Sequence, residues 1–402
     1  MTEKLINKIG NTLFSTTSQA SQENVLVCIF LRGGADGLNM VVPVGDRFYY
    51  YLRPVIRILE PGWKNPKSGI DLNGYFAFHP ALGPLKQFYK SSNLAIIHAV
   101  GLPSDTHSHF EAQANLESGT VASFATADSW LARHLASKAV SNPSPLRAVA
   151  FSSVSPGLLR GYQSPAAFQS LSSFRMNGRL QDQIEFQNQL QTLYNGSGKD
   201  LGMPQTVIET QKILDTFSKI NMFDFASSKY INYPQTPFGR ALAETYELIN
   251  ASLGIEIVCL DMDGWDTHAD EGSISGILSR QLVELGQGLT AFVSDLGNRM
   301  KNVLIMTISE FGRRAAENAS HGTDHGHGNA MFLLGGGVQG GKIYGNYPTL
   351  SPDKLYGPGD LAVTTDYRDV FAEVVQNWLG NPNLASVFPD YAPASIGVVS
   401  SS

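Results

Sequence analysis

Short apolar runs alternate along this chain with segments of helical spacing, and that rhythm limits the fold more than any other feature. Val25–Leu31, Leu94–Ala99, Leu146–Phe151, Ile255–Leu260, Val303–Ile308 and Met331–Leu334 read as buried strands. Between them, Ala81–Lys90, Phe110–Glu117, Ser129–Lys138, Phe238–Leu253, Ile277–Met300 and Tyr367–Leu379 carry apolar residues at helical intervals. Strands alternating with helices predict an α/β fold: a three-layer α/β/α sandwich around a mainly parallel sheet. Residues 1–24 read as a polar tether and 25–402 as one domain. From about 155 to 235 no strand is expected. "RLQDQIEFQNQLQTLY" and "TVIETQKILDTF" have helical spacing there, which predicts an inserted helical cap.

Composition removes several function classes. Hydrophobic residues are 43% and charged residues 16%, enough for a sizeable core. A net charge of −6 without a basic patch argues against a nucleic-acid partner. No apolar run reaches the ~20 residues of a membrane-spanning helix. Cys28 and Cys259 sit inside apolar runs and read as buried small hydrophobes.

In open α/β sheets ligands bind beyond the carboxyl ends of strands, so the loops after the apolar runs matter most. They read "RGGADGLN", "GLPSDTHSHFEAQ", "DMDGWDTHADE", "SEFGRR" and "ASHGTDHGHGN". Imidazole and carboxylate are the donors of Zn-type cations. The supply is Asp36; Asp261, Asp263, Asp266, His268 and Asp270; Glu310; and Asp324, His325 and His327, with His107 and His109 flanking Ser108. Each piece alone also has a structural reading. Asp36 fits a turn, Asp266 or Ser108 a helix cap, and Glu310 with Arg313 a surface ion pair. "DHGHG" is different, because two histidines and an aspartate among glycines suit neither core nor surface.

Taken together, "LRGGADGLNMVVP", "HPAL", "SHF", "GWDTH", "SEFGR" and "GTDHGHGNAMFLLGGGVQGGKIYG" resemble the bacterial family known as domain of unknown function 1501. The resemblance runs from about 25 to 379. That family is similar to the alkaline phosphatase and sulfatase superfamily. The resemblance implies a metal-dependent hydrolase of phosphate or sulfate esters, acting on a small molecule or glycan. It implies two divalent cations, and the histidines favour Zn or Mn over Mg or Ca. Asp36, Asp324 and His325 match one cation site. Asp266 and His268 match the other, with Asp263 able to replace Asp266 and His327 as a further ligand. Ser108 stands where a nucleophile is expected, with Thr106 or a metal-bound water as alternatives. His107 or His109 would be the general acid, and Arg313 would fork an oxyanion.

The sequence departs from the superfamily in two ways. It has no "C/S-x-P-x-R" maturation motif, which removes formylglycine chemistry, and the phosphatase nucleophile motif is not reproduced. The resemblance also implies export, since many members of the family carry a twin-arginine leader. The protein is expected in the periplasm or outside the cell if such a leader was removed, and in the cytoplasm if the chain is complete. A second reading is a non-catalytic binding or secretion-associated protein on a degenerate hydrolase scaffold, and a third is a metal-dependent mutase or transferase.

Overall fold

The computed structural model of the protein describes residues 24–62, 65, 68–121, 128–140, 144–152, 156–163, 165–171 and 228–401. Among the described residues nine strands form the central sheet: β1 (Val25–Leu31), β2 (Leu94–Gly101), β3 (Ala148–Phe151), β4 (Ala166–Phe168), β5 (Ile257–Met262), β6 (Val303–Ile308), β7 (Asn329–Gly335), β8 (Ile343–Tyr344) and β9 (Thr365–Asp366). Their order is β8-β2-β7-β6-β1-β5-β3-β4, with β9 also beside β2. Only β7 runs against its neighbours; the other pairings are parallel.

β1 lies at the middle because it is apolar on both faces. Val25, Val27, Ile29 and Leu31 enter one core with Leu242, Leu282, Leu289 and Phe292. These last come from helices α3 (Pro237–Asn250) and α4 (Ile277–Leu296). Leu26, Cys28 and Phe30 enter a second core with Leu116, Leu131, Leu135 and Phe371. Those belong to α1 (His109–Ser118), α2 (Trp130–Ser137) and α5 (Tyr367–Glu373). Alternation along one strand thus builds the two apolar layers of the expected sandwich. Cys28 and Cys259 are register partners, buried and free.

The expected helix over 81–90 is instead a 3-10 turn, Pro80–Leu85, followed by a short α-helix, Lys86–Lys90. Pro84 has no N–H to give to an α-helical ladder. The segment expected to hold no strand contains β4, paired parallel with β3. Its "AAF" is too short to show a period. The two helical patterns of the expected cap, and the tether, lie outside the described residues.

At the end of the sheet where β3 and β5 begin, Glu256 closes a buried ion network. One carboxylate oxygen accepts from His134 Nε2 at 3.1 Å and Lys138 Nζ at 2.8 Å, the other from Arg147 Nε at 2.6 Å. Burial alone would raise the Glu256 carboxyl, but His134 and Lys138 outweigh it and hold it at about 2. The stabilisation is therefore present above the unfolded value of ~4.3 and lost as pH falls towards 2. Glu256→Gln is expected to cost about 3–5 kcal/mol at neutral pH. In urea unfolding it should also flatten the decline of stability between pH 4 and pH 2; equal slopes in both proteins would refute the assignment.

Candidate metal centre

Because β7 is antiparallel, its first residue lies at the same sheet edge as the last residues of β1, β5 and β6. The loops after β1, β2, β5 and β6 and the loop before β7 therefore meet there. The last two are one excursion, Ser309–Gly328, between neighbouring strands.

At this edge His109, Asp266 and His325 form the one group among the described residues able to hold a metal ion, their ligand atoms lying within 4.8 Å of one another. His268 adjoins them, its Nε2 lying 2.9 Å from His325 Nε2 and 3.1 Å from Asp266 Oδ1. The partners of the Nδ1 atoms fix the protons. His325 Nδ1 donates to the His107 carbonyl at 2.8 Å. His109 Nδ1 donates to Glu310 at 2.8 Å, and His268 Nδ1 to Asp324 at 3.2 Å. Each ring therefore presents its Nε2 lone pair to the same space. His109 Nε2 is buried without a hydrogen-bond partner, 3.6 Å from Asp266 Oδ2. Lone pairs of two imidazoles 2.9 Å apart repel unless a cation lies among them. A proton serves one pair, whereas a metal ion serves all the donors together, and three imidazoles with a carboxylate suit a Zn-type cation.

The surroundings hold these donors from behind. Glu310 is buried and accepts from the Gly33 N–H at 2.9 Å, from Gln113 Nε2 at 2.9 Å and from His109. Burial alone would raise the Glu310 carboxyl, but these hydrogen bonds hold it below the usual range. The bond to Glu310 in turn raises His109. Burial would also raise Asp266, but Arg313, then His268 and His325, hold it low and ionised. Asn318 Nδ2 donates to the His268 carbonyl at 2.8 Å and to Asp324 at 3.0 Å.

The glycines of "GTDHGHG" serve close approach. A Cβ on Gly322 would lie 2.3 Å from the His268 carbonyl carbon, and one on Gly326 2.3 Å from that of Arg313. Absent side chains let this stretch press its backbone against the loop of His268 and against the start of its own excursion. They do not turn it towards two cation sites.

The structure groups these residues differently from the expected division. His325 joins Asp266 and His268 rather than Asp36. Asp36 is fully buried and forms an ion pair with both terminal nitrogens of Arg53. Burial alone would raise it, but Arg53 holds it low. A carboxylate so far from water is held charged by an equally buried cation. Asp324 orients His268 instead of joining Asp36. His327 is withdrawn from the group: it stacks on Tyr356, rings 4.8 Å apart and 19° from parallel. Asp263 is exposed, and its carbonyl accepts from Gln281.

Arg313 cannot fork an oxyanion. It is 1% exposed, and its donors already go to the carbonyls of Gly33, Gly34, Trp265 and Thr323 and to Asp266 Oδ1 at 2.6 Å. Ser108 caps α1 in extended conformation, exposed and without a side-chain capping bond, beside His109. The Thr106 hydroxyl is engaged with Glu111 at 2.8 Å. His107 Nε2 contacts buried Asp360 at 3.0 Å.

Asp360, Gln113, Asn318 and Glu271 are parts of this neighbourhood that sequence reasoning missed. Asp360 and Asn318 belong to irregular loops where no spacing rule applies. Gln113 follows His109 by one helical turn on α1, and that spacing could have revealed it.

A family model described as "Protein of unknown function (DUF1501)" matches residues 169–383, more than half of the 402. No curated protein matches the chain. Several solved structures are similar to it. For the lipoteichoic acid synthase LtaP from Listeria monocytogenes, identity is 10%, coverage is 87% of this chain and 78% of that one, and the TM-score is 0.37. For the C-terminal periplasmic domain of EptC from Escherichia coli in complex with Zn, the values are 11%, 92%, 88% and 0.37. For alkaline phosphatase from the Antarctic bacterium TAB5 they are 11%, 78%, 92% and 0.30.

Two measurements check the geometry. His325→Ala should abolish high-affinity binding of one Zn²⁺ per chain, whereas His327→Ala should leave the count unchanged by metal analysis of dialysed protein. Glu310→Gln should weaken Zn²⁺ about 10- to 100-fold through the orientation of His109, and unaltered affinity would remove that role. The match spans Asp266, His268, Arg313 and His325, and the chain belongs to the family described as Protein of unknown function (DUF1501).

Proposed function

We propose that this protein is a metal-dependent hydrolase of phosphate or sulfate esters, with one divalent cation held by His109, Asp266, His325 and His268. The observation that carries the reading is the convergence of three imidazole Nε2 lone pairs on one ionised carboxylate at the ligand-binding edge of the sheet. The ester class rests on the motif resemblance. A bound cation would polarise an ester oxyanion and lower the pKa of a coordinated oxygen.

The chain's own residues supply the rest. Ser108, at the N-terminus of a ten-residue helix and with no capping bond on its hydroxyl, is the candidate nucleophile. The helix start favours an anionic group beside it. His107, oriented by Asp360, is the candidate proton donor to the leaving oxygen. Arg313 orients Asp266 and touches no substrate. Asp266, Asp324 and His268 are about half-exposed, so the site is open to a ligand from solvent.

The test uses Zn²⁺- or Mn²⁺-loaded protein on aryl phosphates and aryl sulfates. His325→Ala and Asp266→Ala should lower turnover at least about 100-fold (2.7 kcal/mol on the barrier) with folding retained. His107→Ala should slow esters of poor leaving groups far more than esters of good ones. Full activity in His325→Ala sinks the hydrolase. A protein that binds the cation tightly and turns over neither ester is instead a binding protein.

A further inference from the structure

Behind the metal centre lies a second, fully buried polar cluster. Asp36, Arg53 and Glu271 are each 0% exposed. Asp36 is paired with Arg53, and Glu271 shares a hydrogen bond with Asp36. Glu271 Oε2 accepts from two hydroxyls, Thr323 Oγ1 at 2.6 Å and Thr267 Oγ1 at 3.1 Å. Thr267 stands between Asp266 and His268, and Thr323 two residues before His325. The two loops also touch directly, since the Thr323 N–H donates to the Thr267 carbonyl at 3.0 Å. The Glu271 N–H donates to the His321 carbonyl at 3.1 Å.

We infer that Glu271 is a positioning residue for the cation site: its buried side chain sets how the loop carrying Asp266 and His268 lies against the loop carrying His325. The inference rests on the metal reading above and deepens it. Both threonine hydroxyls are buried and point their protons at one oxygen, so the carboxyl fixes the two loops at one point. A second carboxylate charge beside Asp36 would need a second buried cation. Burial, reinforced by the Asp36 charge, pushes Glu271 well up. That favours the neutral acid, whose proton faces Asp36 while Oε2 accepts from the two threonines and Oε1 from Asn39 Nδ2 at 3.4 Å. Glutamine can keep the bonds to Asp36 and to the hydroxyls, with its amide N–H facing Asp36 and its oxygen facing the hydroxyls; it gives up only the 3.4 Å bond from Asn39 Nδ2, which also donates to the Ile56 carbonyl at 3.1 Å.

The test compares Zn²⁺ affinity, by competition with a chelating dye, in wild type, Glu271→Gln and Thr267→Val/Thr323→Val, with thermal unfolding as the fold check. The threonine double variant should bind about 10- to 100-fold more weakly while folded. Glu271→Gln should keep wild-type affinity. Wild-type affinity in the threonine variant, or equal losses in both variants, overturns the inference. If wild type binds no Zn²⁺, the metal reading fails separately. Amide hydrogen exchange over 264–271 and 320–327 then decides: it must quicken in the threonine variant and stay at the wild-type rate in Glu271→Gln.

Discussion

The candidate site depends on one buried guanidinium. Arg313 donates to carbonyls of the loop after β1, of the loop after β5 and of the stretch before β7, and to Asp266 as well. A charge so far from water must have each donor satisfied. That requirement fixes three otherwise irregular loops relative to one another. The hydrogen-bonded backing of His109, His268 and His325 is built on this clamp, and the clamp explains why Arg313 is not available to a substrate.

Two polar layers follow, at different depths. The outer one, with the Nε2 atoms and Asp266, is partly open to water and short of partners. The inner one, with Asp36, Arg53, Glu271 and the two threonines, is sealed and satisfied. The same residue types therefore do opposite things. An exposed carboxylate with bare imidazoles around it invites a cation, and a sealed carboxylate with arginine excludes one.

Much of the fold was legible in the sequence, because strands buried on both faces are written as unbroken apolar runs. Val25–Leu31 and Val303–Ile308 match their observed bounds. β4 was not legible, since three residues carry no period. At the site, His268 and Asp266 in "GWDTH" and His325 in "DHGHG" were readable as ligand types at the ends of strands. Their grouping was not. Asp36 and His327 are the same residue types in loops at the same edge of the sheet, and only tertiary placement reveals that one meets Arg53 and the other Tyr356. Glu310 was visible as a carboxylate after a strand, but its role in holding His109 from behind needed α1 in place.

The antiparallel β7 carries a further consequence. The stretch Ser309–Gly328 leaves the sheet from β6 and returns to it in β7, which pairs with β6. Both of its anchors are thus adjacent and fixed by strand pairing. Residues added or removed at its tip, around Ala315–Gly322, would leave the sheet register untouched. Length changes there would act on the site instead, because Asn318 holds the His268 carbonyl and Asp324, and Gly322 lies against His268. The excursion thus uncouples the shape of the site from the pairing of the strands: what reaches the donors and how they are held can change while the sheet keeps its register.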